Sequence, residues 1–290
     1  MKKRSTARVL PVMGIDLGDR TSRFCELDGS TGEVVREGRV RTAPSALQRL
    51  LGEGRRYRVA IEAGTHSPWV SRCLEELRQE VIVAHPRRVR LIGESRRKDD
   101  RTDAETLARL ARVDPKLLGP VRHRSAGAQS ALALIKARDL AVRSRTQLIL
   151  HCRGTVKAAG ERLPSASPEG FVAKAEPALA APLRDVLRPI LEVITALNAA
   201  IAGYDAELER MAATEYPQAA LLTAVPGVGT LTALPFLLTL GDADRLARSR
   251  AVGAFVGLVP GRRQSGASSP RHRISKEGTG LLRRLLGGCG

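Results

Sequence analysis

The sequence predicts an α/β domain at the amino terminus, followed by a long helical segment and a mainly helical carboxyl-terminal domain. Short apolar runs alternate with helical patterns over residues 1–124, which indicates a mixed sheet with helices packed on it. Apolar residues at helical spacing indicate a long helical hairpin or coiled coil over residues 125–215. Residues 216–290 form a third region, which is rich in glycine and basic side chains towards its end.

Short apolar runs mark the strands of the first region. These runs cover residues 12–17, 23–27, 34–36, 57–63 and 81–84, and the helical patterns cover residues 45–51 and 66–80. Residues 28–32 (Asp-Gly-Ser-Thr-Gly) are typical of a turn, so the second and third runs are expected to pair as a hairpin. Pro86 is expected to end the last strand.

Two apolar stripes predict the helices of the second region. The second stripe steps by three or four residues from Leu187 to Met211, over about 25 residues. A pair of antiparallel helices from one chain and a two-chain coiled coil are equally compatible with that length. The first stripe is less regular and consists of Leu132, Ile135, Leu140, Val142, Ile149, Cys152 and Val156.

An excess of basic residues indicates a polyanionic partner. Lys and Arg number 48 against 30 Asp and Glu, which gives a net charge of +18 and favours nucleic acid as the partner. Aromatic residues make up only 3% of the chain, which argues against a base-stacking platform for single strands. Contacts to the backbone of duplex or structured nucleic acid are expected instead.

Part of this charge lies on the first long helix. Its basic residues could form a solvated face or could follow a phosphate backbone, and the composition does not distinguish the two. These residues are Lys136, Arg138, Arg143, Arg145, Arg153, Lys157 and Arg162.

Several protein classes are excluded by composition. At 43% hydrophobic and 27% charged residues the chain is globular and not disordered. No uninterrupted apolar run approaches the roughly 18 residues of a membrane span, and the basic start lacks the apolar core of a secretory signal. The four cysteines are far apart in sequence, so neither a disulfide framework nor a zinc site is expected, and a cytoplasmic location fits.

Four carboxylates have the placement of a metal site. Asp16 and Glu62 each close an apolar strand and are each followed by a glycine two residues later. Asp100 and Asp103 are three residues apart at a predicted helix start, which puts them on one helical face. Carboxylate oxygens favour Mg²⁺ or Mn²⁺, and two such ions can hold the attacking and leaving oxygens of a phosphodiester. Each acid alone is also compatible with a structural role, such as a helix cap.

Two further motifs lie in the third region. The Pro-Gly-Val-Gly sequence at 226–229 is typical of a helix-hairpin-helix turn, in which backbone N–H groups approach a DNA phosphate, and an ordinary helix–helix turn is the alternative. Residues 257–266 end in a serine and a glycine after two arginines, and Ser265 could attack a phosphodiester there. On residue chemistry alone, a Ser-Gly pair in a basic loop is more often only a loop.

Together and in this order, the motifs resemble the DEDD transposases of insertion-sequence family one-ten over nearly the whole chain. Residues 14–16 (Gly-Ile-Asp) match the first acid motif of that family, and residues 61–64 (Ile-Glu-Ala-Gly), followed by Trp69, match the second. Residues 98–104 match its K-x-D-x-x-D-A pattern, which selects Asp100 and Asp103 over Asp99.

The carboxyl-terminal motifs extend the resemblance. Residues 226–229 match the family's hairpin, and residues 257–260, 265–266 and 274–278 match its carboxyl-terminal signature. The resemblance implies a ribonuclease-H-like first domain, akin to Holliday-junction resolvases, then a coiled coil and a transposase domain. It also implies that the four acids bind Mg²⁺ (or Mn²⁺), and that Ser265 is the nucleophile of a recombinase that forms a 5′-phosphoserine-type intermediate. Ser268 and Ser269 are neighbouring alternatives to Ser265.

The resemblance also implies partners. DNA is the substrate, some family members are guided by a structured RNA that the element encodes, and no membrane is involved. A site that combines the acids with the serine of another domain implies a homodimer or homotetramer. The positions expected to contact nucleic acid are Lys98, Arg101, Gly227, Gly229, Arg262, Arg263, Arg271 and Lys276.

Two other functions are compatible with the same residues. A metal-dependent, structure-selective nuclease of the resolvase type would cut DNA without a covalent protein–DNA link. An inactive nucleic-acid-binding remnant would bind without cutting. The remnant is suggested by the Gly287-Gly288-Cys289-Gly290 ending, where family members continue in helix, and this ending predicts a shortened last helix.

Overall fold

Two compact units make up the fold, Met1–Arg124 and Ser125–Gly290. The computed structural model describes residues 9–52, 54–92, 100–241, 248, 250–261, 273–276 and 278–288. We refer to the two units as the sheet unit and the helical unit.

The sheet unit is built on a five-stranded mixed sheet with the order β3-β2-β1-β4-β5. Strands β1, β2 and β3 form an antiparallel meander, whereas β4 and β5 run parallel to β1. The strands are β1 (Val12–Asp16), β2 (Thr21–Leu27), β3 (Val34–Arg41), β4 (Arg58–Glu62) and β5 (Glu80–Ala84). The predicted α/β class with a mixed sheet is therefore confirmed for this unit.

The turn between β2 and β3 has the predicted residues. The carboxylate of Asp28 accepts hydrogen bonds from the backbone N–H groups of Ser30 and Thr31, both at 2.8 Å. Gly32 follows with a positive φ of 78°, which a residue without a side chain adopts readily. The hairpin prediction is confirmed, and β3 extends five residues further than the apolar pattern indicated.

Helices cover both faces of the sheet. In this unit they are α1 (Pro44–Leu51), α2 (Ser67–Glu76), α3 (Pro86–Ile92) and α4 (Asp100–Val113). Helix α2 ends four residues before the predicted boundary, where Arg78 takes a left-handed φ of 58°. Helix α3 was not predicted: Pro86 ends the preceding strand and also begins this helix, because its fixed φ suits a first helical position.

Helix α4 lies directly on the sheet. It shares an apolar core with Val12 of β1 and Ala60 of β4, whereas α1 and α2 share the opposite core with Met13 and Ile15. A β-carbon at Gly14 would overlap the carbonyl oxygen of Ala104 in α4. The absence of a side chain at Gly14 therefore permits the close approach of α4 to β1.

The helical unit is organised around two long helices. It contains α5 (Ala126–Ala158), α6 (Phe171–Ala175), α7 (Ala181–Thr214), α8 (Ala219–Thr223), α9 (Thr230–Leu240), α10 (Arg250–Phe255) and α11 (Gly280–Gly287). Helices α5 and α7 are antiparallel, since the Arg138 guanidinium binds the Asp205 carboxylate at 2.7 Å and Cys152 packs near Leu191. Within one chain, the two apolar stripes therefore pair with each other as a hairpin.

One residue of the predicted first stripe is misplaced. Leu140 is 56% exposed, whereas Ala141 and Arg145 are buried on the face that meets α7. With 3.6 residues per turn, the contacting face runs through Ile135, Ala141, Arg145 and Cys152, and Leu140 falls beside it.

Helix α7 is the only helix in the described part of the chain with the length and mean hydropathy of a membrane span. Only 22% of its most apolar window is buried. Its buried residues nevertheless step along one side, from Leu187 to Met211, and face the other helices of the unit. This is the pattern of an amphipathic helix in a helical hairpin.

The last helices pack against the ends of the hairpin. Leu234 and Leu238 of α9 join Ile135 of α5 and Leu208 of α7 in one apolar cluster, and Leu281 of α11 packs against it. The segment after residue 216 therefore shares its core with the hairpin.

Candidate functional site

Two predicted acids meet at one edge of the sheet. Asp16 is the last residue of β1 and Glu62 is the last residue of β4. Since β1 and β4 are parallel and Ile15 pairs with Ile61, the two acids that follow stand side by side. Both line a cavity of about 420 Å³, together with Asp19 and His66. Paired carboxylates at a cavity beyond parallel strand ends are suited to binding a divalent cation.

The start of α4 reaches the same edge. Ala104 lies against Gly14, and further along α4 the Ala111 carbonyl accepts a hydrogen bond from Arg58 at the beginning of β4. Helix α4 therefore runs opposite to β1 and β4, and its first residues, Asp100 and Asp103, lie towards the ends of these strands. Asp103 is exposed.

The described side chains do not form a complete metal site. They contain no group of three or more His, Cys, Asp or Glu residues close enough together to hold an ion. The side chain of Asp100 is outside the described part of the structure. The pairing of Asp16 with Glu62 and the position of α4 are the parts of the predicted site for which the structure provides evidence.

A row of charged residues crosses the sheet at this edge. Arg23 of β2 stands directly opposite Asp16, and Arg39 of β3 stands opposite Arg23. Directly paired residues project from the same face, so two cations continue the row that the acids begin. The Nε atom of Arg23 is buried and has no hydrogen-bond partner among the described residues. A buried donor without a partner is costly, and Arg145 Nε in the helical unit is the other such atom among the described residues.

A hydrogen-bond network supports the loop that follows Glu62. The buried Ser67 hydroxyl donates to the carbonyl of Gly64 and accepts from its N–H group, both at 2.9 Å. His123 Nε2 lies 2.9 Å from the same hydroxyl oxygen. Because the hydroxyl proton is directed to Gly64, the His123 ring is the donor in this contact.

The environment of His123 favours its neutral form. Burial lowers the pKa of this histidine, and the charges of Arg72 and Arg124 lower it further. A neutral ring with its proton on Nε2 is therefore the stable state at neutral pH, and it keeps the Ser67 contact in place.

The Pro-Gly-Val-Gly turn joins α8 to α9, as predicted. Gly227 has a φ of 82°, and Gly229 is the residue before the first turn of α9 and has no side chain to cap it. Pro226, Gly227 and Gly229 are exposed. The N–H groups of Thr232 and Ala233 already donate to the Gly229 carbonyl, so only those of Thr230 and Leu231, next to the exposed turn, are candidates for an anion.

The two ends of the predicted serine loop are joined. Pro260 and Ile274 form an antiparallel bridge, the Gly261 N–H donates to the Arg273 carbonyl at 3.0 Å, and the Ser275 N–H donates to Val259 at 2.8 Å. Lys276 has a left-handed φ of 56° just after the bridge. The described residues on either side of the predicted serine segment, 259–261 and 273–275, are therefore hydrogen-bonded to each other.

Several predicted residues lie outside the described part of the chain or have side chains that do. These positions are Lys98, Arg101, Arg262, Arg263, Ser265, Ser268, Ser269 and Arg271, together with the Asp100 side chain. Their predicted roles are not tested by the structure.

Three residues of the site were missed by sequence reasoning. Asp19 and His66 follow strand ends in loops, and Arg23 lies within a strand. The signal for His66 was its position four residues after Glu62, and the signal for Arg23 was its place in the antiparallel pairing. The signal for Arg23 requires the strand register, which the sequence pattern did not supply.

The chain matches models of known protein families at both ends. A family model of IS110-type DEDD transposases matches residues 13–160, and the model described as the IS116/IS110/IS902 transposase family matches residues 219–289. The first of these matches covers the acid pair and α4, and the second covers the Pro-Gly-Val-Gly turn and the serine loop.

Individual relatives extend over most of the chain. A protein of Coxiella burnetii described as the transposase for insertion sequence element IS1111A is 28% identical over 98% of this chain and 78% of its own length. A protein of Yersinia enterocolitica described as the transposase for insertion sequence element IS1328 is 30% identical over 80% of this chain and 69% of its own length. A probable family 20 transposase of Pseudomonas aeruginosa is 30% identical over 79% of this chain and 68% of its own length. With the acid pair at the strand ends and these matches at both ends of the chain, the protein belongs to the IS110 family of DEDD transposases, enzymes that cleave and rejoin DNA.

Proposed function

We propose that the protein is the transposase of an insertion sequence and cleaves and rejoins DNA at a metal-dependent site of the sheet unit. The observation that carries the proposal is the convergence of Asp16 and Glu62 on one cavity at the ends of β1 and β4. The direction of α4, which brings Asp100 and Asp103 towards the same edge, supports a ribonuclease-H-like arrangement of four acids.

The proposed cofactor is Mg²⁺ or Mn²⁺. Asp16, Glu62, Asp100 and Asp103 would hold it, since hard divalent cations prefer carboxylate oxygens. When bound, such an ion polarises phosphoryl oxygens and stabilises the charge that develops on them. Arg23 would add positive charge near the acids, because it stands directly opposite Asp16 in the strand pairing.

We further propose Ser265 as the nucleophile, with Ser268 and Ser269 as the neighbouring alternatives. Its hydroxyl oxygen would form a bond to the phosphorus while the bond to the 3′-oxygen breaks, and overall the 3′-oxygen gains the proton that the serine loses. Attack of another 3′-hydroxyl on the phosphoserine would reverse these changes and join the strands. The second family model, which matches residues 219–289 and so includes these three serines, supports this assignment.

The remaining parts of the proposal concern partners and organisation. DNA is the proposed substrate, a structured RNA encoded by the element is the proposed guide, and a homodimer or homotetramer acts in the cytoplasm. The exposed turn of α8 and α9, which we propose as a helix-hairpin-helix, supports a phosphate contact at Gly227 and Gly229. The regions 1–124, 125–215 and 216–290 are proposed as catalytic, coiled-coil and transposase segments.

The test uses the full chain and a plasmid that carries the DNA flanking its gene, together with the transcribed flanking segment. Asp16→Asn and Glu62→Gln are each expected to reduce Mg²⁺-dependent strand cleavage by more than about 100-fold. Glu105→Gln is the matched control, because Glu105 is a carboxylate of α4 that pairs with Arg109 four residues away. Full cleavage by the Asp16→Asn protein would contradict the metal site.

Ser265→Ala separates the proposed transposase from a resolvase-like nuclease. The transposase loses both strand joining and the covalent protein–DNA adduct when the hydroxyl is removed. Continued cleavage by Ser265→Ala, with the same products and no adduct in the unmodified protein, would identify a nuclease. The nuclease is the second candidate because the acid pair and its cavity lie entirely within the sheet unit. If the unmodified protein binds DNA but does not cleave it, both proposed enzyme activities are contradicted, and the protein is an inactive nucleic-acid-binding remnant.

A further inference from the structure

His66 lies at the acid cavity but is not one of the four acids. It lines the cavity with Asp16 and Glu62 and is the residue immediately before α2. Its side chain is 29% exposed, so the ring is partly packed against protein and partly accessible. The contacts of its two ring nitrogens determine what the ring can bind.

Trp69 determines the proton position on the His66 ring. The indole Nε1 of Trp69 lies 3.2 Å from Nδ1 of His66, and the two rings meet edge to face at 89°. An indole N–H can only donate, so Nδ1 must accept and the proton of the neutral ring is on Nε2. His66 therefore presents a fixed N–H donor and not a free lone pair at Nε2, which excludes Nε2 as a metal ligand in this state.

The partner of that donor is easily displaced. Nε2 of His66 lies 3.3 Å from a carboxylate oxygen of Asp19, which is long for a hydrogen bond to a charged acceptor. The Asp19 side chain is 88% exposed, so water can hydrate its carboxylate as soon as the contact breaks. An incoming anionic oxygen at the cavity could therefore replace Asp19 at little cost.

We propose that His66 binds the phosphate of the DNA strand at the acid site, by donating its Nε2–H to a non-bridging oxygen in place of Asp19. This inference rests on the proposed function, which brings a phosphodiester to Asp16 and Glu62. The Trp69 contact keeps the donor directed at the cavity, and Ser67, the next residue, fixes the loop through Gly64 and His123. His66 thus supplies a directed donor, in a cavity whose other charged side chains are carboxylates.

The experiment uses the full chain, Mn²⁺ and thymidine 5′-monophosphate as the phosphate probe. Electron paramagnetic resonance measures Mn²⁺ binding, and relaxation of the ³¹P signal by Mn²⁺ measures nucleotide binding beside the ion. His66→Phe keeps a ring but removes the donor, and it is expected to weaken nucleotide binding about 10-fold without changing Mn²⁺ affinity. His66→Gln keeps an N–H donor and is expected to stay within about 3-fold of the unmodified protein.

Trp69→Phe provides a second test that leaves His66 in place. Without the indole donor, the proton of the neutral His66 ring is no longer held on Nε2. Nucleotide binding is therefore expected to weaken, but less than in His66→Phe. His151→Phe is the matched control, since His151 is exposed on α5, and no change is expected. Thermal unfolding shows whether each variant is folded. If His66→Phe does not fold, the nucleotide affinity of Trp69→Phe tests the role of His66 in its place.

Asp19→Ala distinguishes phosphate binding from a purely structural histidine. Removing the competing carboxylate is expected to tighten nucleotide binding in the unmodified background, and to tighten it less in His66→Phe, because the released donor is then missing. If Asp19→Ala increases nucleotide affinity equally in the unmodified protein and in His66→Phe, phosphate does not replace Asp19 on His66.

The outcomes separate this inference from the proposed function. Mn²⁺ binding that Asp16→Asn abolishes, with nucleotide affinity unchanged in His66→Phe, would overturn the role of His66 and leave the metal site standing. Absence of Mn²⁺ binding to the unmodified protein would overturn the metal site and the His66 inference together.

Discussion

Charged side chains at the sheet edge that carries Asp16 and Glu62 line a cavity, whereas those of the α5–α7 hairpin mostly bind one another. Asp16 and Glu62 line an open cavity together with Asp19 and His66. In the hairpin, Arg138 binds Asp205 and the buried Arg145 binds Asn198 and Glu169. Charged residues therefore line an open cavity in one unit and join packed helices in the other.

This difference revises the interpretation of the basic first helix. Of its seven predicted basic residues, Arg138, Arg143, Arg145 and Arg153 donate to carboxylates, an amide or carbonyls within the helical unit. A row of arginines along a helix is therefore not sufficient evidence that the helix binds phosphate groups. Arg138, Arg145 and Arg153 join α5 to other segments of the helical unit, whereas Arg143 pairs with Asp139 of the same helix.

The strongest test of the comparison is Gly14→Ala in the sheet unit. The new β-carbon would overlap the Ala104 carbonyl and lie 2.7 Å from the Ala108 nitrogen, so α4 must move away from β1. We expect the sheet unit to lose about 3 kcal/mol of unfolding free energy and Mg²⁺-dependent cleavage to fall with it. Unfolding in urea followed by the fluorescence of Trp69, the single tryptophan of the chain, reports on this unit.

Gly203→Ala is the matched control in α7. A β-carbon there meets nothing within 4 Å, and alanine favours a helix interior over glycine by about 0.5–1 kcal/mol. We expect the helical unit to gain stability in this range. Equal effects of the two substitutions would show that α4 does not depend on close contact with Gly14.

Arg145→Met tests the structural use of charge in the hairpin. The guanidinium is 8% exposed and its loss leaves Asn198 and Glu169 without their partner, so we expect the helical unit to lose about 2 kcal/mol. Circular dichroism at the helix band should show the shift, whereas Trp69 fluorescence and Mn²⁺ binding should not change. Arg143→Met, which removes only an exposed pair with Asp139, should cost about 0.5 kcal/mol or less, and a similar loss from both would refute the distinction.

The smallest expected effect is a pH dependence in the sheet unit. Burial and the charges of Arg72 and Arg124 lower the pKa of His123 in the folded state, below about 6.5 for an unfolded histidine. The unfolded chain then binds more protons, so this contribution to stability is complete above about pH 6.5 and is lost as the pH falls through the folded value. The free energy of unfolding, measured in urea by Trp69 fluorescence, should fall less steeply with decreasing pH in His123→Gln than in the unmodified protein. An identical pH dependence of the two proteins would exclude His123 as the titrating group.

The alternation of strands and helices was predictable because each element carries its own periodicity. The acid-bearing strands β1 and β4 were placed within a residue or two, since a buried strand is a continuous apolar run that ends at a charge. Helix α3 was missed because its proline was taken only as a strand terminator. Leu140 was misplaced because a stripe of mixed spacing does not fix the phase of a helix.

The sequence by itself determined the family, the sheet-forming segments and the acids that close two strands, because these depend on local pattern and motif order. Only the tertiary structure decided which groups stand around those acids. The register of β1, β2 and β4 places Arg23 opposite Asp16 and Glu62 beside it, and the loop before α2 places His66 at the same cavity. Contacts between residues far apart in sequence depend on strand pairing and helix packing, which no single segment encodes.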